Sequence, residues 1–333
     1  LPRLRQISAV LIRHGLGEFA QRLRLPKAVE RATEWLKIKT PEVQHSTAHH
    51  YEQVLSSYHF DDWREKRIVE LDYRATMAML AKMPANPKTF NNSATVLRQV
   101  LEYGYKAKLL REPLFESVEM RKHQSPGPDP FTMDEVEAIL AALPAGPPRN
   151  YFEVAFFTGL RPSELIALRW SKVDKKTGYM KVDAALTRFQ EKGTKTWSAR
   201  NVELSARALQ ALERQRAAMG KRAVPAGHVF TSDEGAPFTT TDEPLRSWWK
   251  PAVKASKVRT RDARQTRHTF ATMCLMAGLT PGWVAMQMGH SPEMFFRVYS
   301  RWIQGADQGA ERRKLDAFLG DKTGTENGTG TAN

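Results

Sequence analysis

The stretch Gly289-His290-Ser291-Pro292-Glu293-Met294-Phe295-Phe296-Arg297-Val298-Tyr299 reads as the end of one helix and the start of the next. Glycine at 289 permits a helix-to-helix turn in which backbone and imidazole approach a ligand closely. Ser291 suits an N-cap and Pro292 the first helical position, so the following helix starts at once and carries Tyr299 more than one turn in. Upstream, Gln265-Thr266-Arg267-His268-Thr269-Phe270-Ala271 opens a helix with Phe270, Cys274 and Ala277 in an apolar stripe, and Gly278 is its expected C-cap. Further back, Thr158-Gly159-Leu160-Arg161-Pro162-Ser163-Glu164-Leu165 turns into a helix read as Ser163 to Trp170, with Ser163 as N-cap.

The chain around these blocks is basic. Lys plus Arg number 51 against 36 Asp plus Glu, a formal charge of +15 that favours a polyanionic partner through counterion release. No segment approaches the roughly 18 uninterrupted apolar residues of a membrane-spanning helix, and no secretory signal is visible. Cys274 is the only cysteine, which excludes an internal disulfide, and the nine histidines show no zinc spacing. A cytoplasmic, membrane-free protein without metal or other cofactor is expected.

At 333 residues the chain should split into two or three domains. Three prolines within Pro126-Gly127-Pro128-Asp129-Pro130 forbid a continuous helix and mark the boundary. We place an amphipathic segment of unassigned origin at 1–26, a helical domain at 27–123, a linker at 124–130, a second domain at 131–319 and a disordered Gly/Thr/Asn-rich tail at 320–333. The first domain should hold helices at Ala28 to Ile38, Ser46 to Tyr58, Tyr73 to Met83 and Ala94 to Leu110. The second should hold helices at Thr132 to Leu143, Asn150 to Phe157, Ala206 to Met219 and Glu243 to Ala255. Between them, strands at Tyr179 to Arg188 and Arg200 to Leu204 should flank a polar turn, Gln190 to Thr194. The fold class is mainly α with a small β-hairpin or sheet.

The three blocks suit phosphodiester chemistry. The transition state of attack on a phosphodiester gathers charge on its non-bridging oxygens, and preorganised cations answer it. Arg161 offers a planar fork to those oxygens, and Glu164, three residues on, is placed to orient it. A lone arginine is ordinarily a surface residue; here the Thr-Gly-Leu-Arg-x-x-Glu pattern argues otherwise. Arg267 is the natural second arm, with Arg264 and His268 in the same helical sector, and His268 reads chiefly as a hydrogen-bonding support beneath the site. A phenol has a pKa near 10, so Tyr299 needs neighbouring positive charge to attack.

In these blocks and their order the sequence resembles the tyrosine recombinase (phage integrase) family, over roughly residues 27 to 318. The resemblance implies a helical core-binding domain followed by a catalytic domain, which together clamp double-stranded DNA. It implies that Arg161, Lys195, Arg267 and His290 serve the phosphate, with Lys195 of the hairpin protonating the departing 5′ oxygen and Lys192 as the competing candidate; Arg264, chemically, can donate to the phosphate as well. Tyr299 would be the nucleophile, forming a 3′-phosphotyrosyl bond that a 5′ hydroxyl reverses without metal or ATP. The implied partners are attachment-site DNA and three further copies of the chain in a tetramer assembled on DNA from free monomers, with an accessory DNA-bending protein possible. The implied role is integration or excision of a prophage or other mobile element. Arg264 departs from the family, which commonly has His there; a guanidinium cannot serve as a base at neutral pH. Two alternatives stand beside this reading: a DNA-binding relic without cleavage, and a type IB topoisomerase-like nicking and resealing enzyme.

Overall fold

The computed structural model describes residues 27–124, 126–187, 190–193, 199–303 and 309–320. The segment 1–26, the hairpin residue Lys195, the side chain of Lys192 and the tail from 321 lie outside what is described. The chain divides into two compact units, Leu1–Ser125 and Pro126–Asn333. Among the described residues no helix is long and apolar enough to cross a membrane.

The first unit is helical: α1 (Ala28–Lys39), α2 (His45–Leu55), α3 (Asp61–Glu65), α4 (Tyr73–Lys82) and α5 (Pro87–Lys106). Trp35, Phe60, Trp63, Ile68, Leu97 and Leu101 fill its core. Helix α5 begins seven residues earlier than its apolar periodicity predicts. The Asn86 side chain accepts from the amides of Lys88 and Thr89, and Pro87 takes the first helical position, so capping chemistry sets the start. Its end falls before Lys108, which adopts a positive φ of 58°.

The second unit has two cores. Around the first lie α6 (Met133–Ala142), α7 (Pro147–Thr158), α8 (Pro162–Ala167) and α9 (Ala206–Met219), with α10 (Asp242–Pro244), a π-helical turn (Leu245–Trp249) and α11 (Lys250–Ala255). Phe131, Ile139, Phe152, Phe156 and Trp249 pack there. The π turn precedes Pro251, whose missing amide leaves the normal ladder incomplete. The second core joins α12 (Gln265–Met276), α13 (Pro281–Met288) and α14 (Pro292–Ile303) around Phe270, Phe295 and Tyr299, and α15 (Ala310–Gly320) follows. Helix α7 packs against both α9 and α12 and so links the cores.

The β region departs from the single hairpin expected. Strands β1 (Val173–Asp174), β2 (Tyr179–Val182) and β5 (Arg200–Glu203) form an antiparallel sheet in the order β1-β2-β5, with Met180 opposite Val202 and Val182 opposite Arg200. Between β2 and β5 the chain makes a separate hairpin from β3 (Ala184–Thr187) and β4 (Gln190–Gly193), with Thr187 opposite Gln190. The expected polar turn is thus itself a strand, because backbone pairing across a two-residue connection does not require apolar side chains. The register also delivers Arg200 to the end of β5 nearest the site described below.

Candidate active site

Helix ends build this site. Helix α7 stops at Gly159, which takes a left-handed conformation (φ 63°), and a Cβ there would lie 2.5 Å from Cδ1 of Phe270. Only glycine lets the chain turn so close to α12. Two residues on, Arg161 rather than Ser163 is the N-cap of α8, because Pro162 occupies the first helical position. The Arg161 amide donates to Glu164 at 2.9 Å, its Nη1 donates to Glu164 Oε1 at 2.8 Å, and its Nη2 reaches the Gly289 carbonyl at 3.4 Å.

Helix α13 ends at Gly289, also left-handed (φ 64°). The His290 amide returns to the Ala285 carbonyl at 2.9 Å and the Gly289 amide to that of Met286 at 3.0 Å, a double closure that holds His290 at the turn. Ser291 Oγ then accepts from the Met294 amide at 3.3 Å and starts α14, as its sequence implies.

Arg267 is buried on α12. Its Nη1 donates to the Gly159 carbonyl at 2.6 Å and its Nη2 to the Met288 carbonyl, so it ties α7 to α13. Burial first, and then the charge of Arg161, bring its pKa down to about 9. Glu164 is 1% exposed in its side chain. Burial opposes its ionisation, but the hydrogen bonds and charge of Arg200, with Arg161 beside it, outweigh that and hold the carboxyl at about 2.

Arg200 escaped the sequence reading, where it looked like the ordinary first residue of a strand. Its Nη1 and Nη2 donate to the two Glu164 oxygens at 3.1 and 2.8 Å, and its Nε to the Gln287 carbonyl at 2.8 Å. The available signal was Glu164 itself, since a carboxylate inside Leu-Arg-Pro-Ser-Glu-Leu-Ile-Ala needs more than one cation once it is buried.

Tyr299 is fully buried in the second core. Its hydroxyl lies 2.7 Å from Nδ1 of His268, and its ring lies nearly parallel to that of His290, centroids 6.2 Å apart. Burial pushes the phenol up to about 12, against the pull of Arg267. Burial, Arg267 and Arg161 together drive His290 down to about 3, and its Nδ1 is buried with no hydrogen-bond partner among the described residues. His268, read from sequence as a support beneath the site, instead touches the phenol directly. Arg264 stands apart from this cluster at the N-cap of α12. Its side chain is 75% exposed and pairs with Asp262 through Nε at 2.9 Å and Nη2 at 3.1 Å. Among the described residues no group of three or more His, Cys, Asp or Glu is placed to hold a metal ion.

Two arginines and two imidazoles at helix ends gather around a phenol carried inside α14, on a mainly helical scaffold. The model of the phage integrase family matches residues 130–302, just over half of the chain, and the protein belongs to that family. Prophage integrase IntR of Escherichia coli (strain K12) is 30% identical over 239 residues, covering 65% of this chain and 58% of IntR. The chain therefore spans a little under three-fifths of that relative's length. Among solved structures, the Tn1549 transposon integrase in complex with a circular intermediate DNA is 19% identical with a TM-score of 0.68, over 87% of this chain and 99% of that one. A lambda integrase tetramer bound to a Holliday junction is 15% identical with a TM-score of 0.64, over 79% of this chain and 76% of that one. At these identities the two structures establish a shared fold.

Proposed function

We propose that this chain is a site-specific DNA recombinase that cuts and rejoins strands through a 3′-phosphotyrosyl intermediate. The observation that carries this reading is the convergence of Arg161, Arg267 and His290 on one buried phenol, Tyr299, from blocks up to 138 positions apart in sequence. In this reading Arg161 and Arg267 clamp the non-bridging oxygens and His290 donates to one of them, each being more valuable as charge develops. The Tyr299 oxygen attacks phosphorus while the 5′ oxygen leaves, protonated by Lys195, with Arg264 as an outlying phosphate contact. The phosphotyrosyl bond conserves the energy of the broken diester, so a 5′ hydroxyl of a partner strand reseals it without ATP or metal.

Residues 27–123 would serve as the core-binding domain and 131–319 as the catalytic domain, joined by the linker 124–130. In this reading the phenol, covered here, is uncovered on DNA for the in-line attack with its hydrogen bond to His268 kept. A tetramer on paired attachment sites follows from the need to exchange strands between two duplexes, and α15 presents Leu315, Phe318 and Leu319 at more than half exposure for a neighbouring copy. We place the reaction in the cytoplasm, in integration or excision of a mobile element.

The test is covalent capture on nicked DNA carrying the flanks of the encoding element, comparing wild type with Tyr299→Phe on a denaturing gel, with and without a chelator. Wild type should give a shifted band in both conditions. Tyr299→Phe should give none while retaining DNA affinity. A band that persists in Tyr299→Phe, or disappears with the chelator, would overturn the mechanism; retarded but uncut DNA in wild type would leave binding alone.

A further inference from the structure

We propose that His268 is the general base for Tyr299: the phenol proton passes to Nδ1 of the imidazole as the tyrosine oxygen bonds to phosphorus. The inference rests on the strand-transfer reading above and deepens it. Its foundation is the 2.7 Å separation between Nδ1 and the Tyr299 hydroxyl, within the range of a short O–H to N hydrogen bond. Among the described residues no other base occupies that position. Arg264, one turn earlier on the same helix, carries a guanidinium that cannot accept a proton, and it is turned out toward Asp262. His290 faces the phenol ring to ring rather than through a hydrogen bond.

The groups around His268 suit the role. Arg267 and Arg264 act on it from its own helix, Tyr299 from α14 and His290 from the turn before α14. Burial first, then Arg267 and Arg264, lower the His268 pKa below its ordinary 6.5, so the imidazole is neutral and accepting at pH 7. The same bond ties the nucleophile to the helix that carries Arg267, so phenol and phosphate clamp are aligned through one element.

The proton balance closes over the two transesterifications. In cleavage the O–H bond of Tyr299 breaks, its proton goes to His268, the phosphorus to O5′ bond breaks, and the departing oxygen takes a proton from a separate cationic side chain. In resealing the 5′ hydroxyl attacks phosphorus and returns its proton to that side chain. The bond from phosphorus to the tyrosine oxygen breaks, and the His268 imidazolium reprotonates the phenolate.

Single-turnover capture on nicked duplex should be measured from pH 5 to pH 9 for wild type, His268→Asn and His268→Ala. Each is tested on an ordinary diester and on one with sulfur replacing the 5′ bridging oxygen, whose thiolate leaves without an acid. Asparagine keeps a polar atom near Nδ1 but is not a base. Wild type should rise with pH through an inflection below 6.5 and then level off. His268→Asn should be about 100- to 10,000-fold slower at pH 7 on both substrates, with no such inflection and a rate still climbing with pH. Free imidazole should partly restore His268→Ala, an arm that separates lost chemistry from a misplaced helix.

If His268→Asn stays within about threefold of wild type across the range, the assignment is overturned. A defect that vanishes on the sulfur substrate would overturn it too, by placing His268 on the leaving group. If wild type captures no DNA at all, the strand-transfer reading itself fails, an outcome distinct from either of these.

Discussion

Replacing Glu164 with glutamine leaves its shape and removes the carboxylate that pairs with Arg161 and Arg200 beside Arg267. The size of the effect follows from its titration. The carboxyl moves from an ordinary 4.5 to about 2 on folding, a gap worth about 3 kcal/mol at roughly 1.4 kcal/mol per pH unit. With 1% of the side chain exposed, solvent screening takes little from that figure. Because the folded pKa is the lower one, the native protein binds fewer protons than the unfolded chain. The stabilisation is complete above the unfolded value and is lost as pH falls through the folded one. Wild type should therefore exceed Glu164→Gln by about 3 kcal/mol at pH 7, by about half of that at pH 3, and by little at pH 2. Cys274 is the chain's only cysteine and is buried in the same unit, so its labelling along a urea gradient reports that unit alone. A dipyridyl disulfide serves as reagent because it reacts with thiols in acid. A difference under about 1 kcal/mol at pH 7, or one unchanged at pH 3, would refute the charge argument.

Two further perturbations act on the same framework. Gly159→Ala should cost about 2–4 kcal/mol, combining left-handed strain with displacement of the Phe270 ring, and should slow covalent capture by shifting the carbonyl that holds Arg267; a urea midpoint within error of wild type would contradict it. Arg200→Ala should cost about 3–5 kcal/mol, because among the described residues it leaves Glu164 with Arg161 as its only hydrogen-bonding cation and frees the Gln287 carbonyl, and the loss should shrink when combined with Glu164→Gln in a double-mutant cycle.

Much of this was legible from the chain alone. The bounds of α9, Ala206–Met219, are those expected from the sequence, and the structure adds the cap, Ser205, whose side chain accepts from the Ala208 amide. The Gly-His-Ser-Pro reading of the turn before α14 held because glycine, serine and proline each act locally on φ or on a capping amide. What escaped depends on distant partners. Arg200 is an ordinary residue until the β2–β5 register brings it to Glu164. His268 seemed a support because its spacing from Arg267 says nothing about α14, 31 positions away from it at Tyr299. Arg264 shares a helical sector with Arg267 by spacing, and its backbone is already helical, but its guanidinium is drawn outward by Asp262, a partner that sector arithmetic does not weigh.

The carbonyls at the end of α13 show why such residues cannot be assigned one at a time. A helix leaves its last carbonyls without intrahelical donors, and here each has one supplied from elsewhere. The Ala285 and Met286 carbonyls accept from the His290 and Gly289 amides, that of Gln287 from Arg200, that of Met288 from Arg267 and that of Gly289 from Arg161. The negative end of the helix dipole also favours three cations gathered there. The bonds that finish the helix are therefore the bonds that aim the arginines, and both Glu164 oxygens accept from Arg161 and Arg200 alike, which offsets the repulsion between the two guanidiniums. In the proposed reaction a phosphate approaching this end would meet guanidiniums already fixed on their carbonyl side, so its binding would require little further ordering of them. It follows that any substitution that unwinds the last turn of α13 should weaken folding and phosphate binding together, whereas a change at Tyr299 Oη should separate the two.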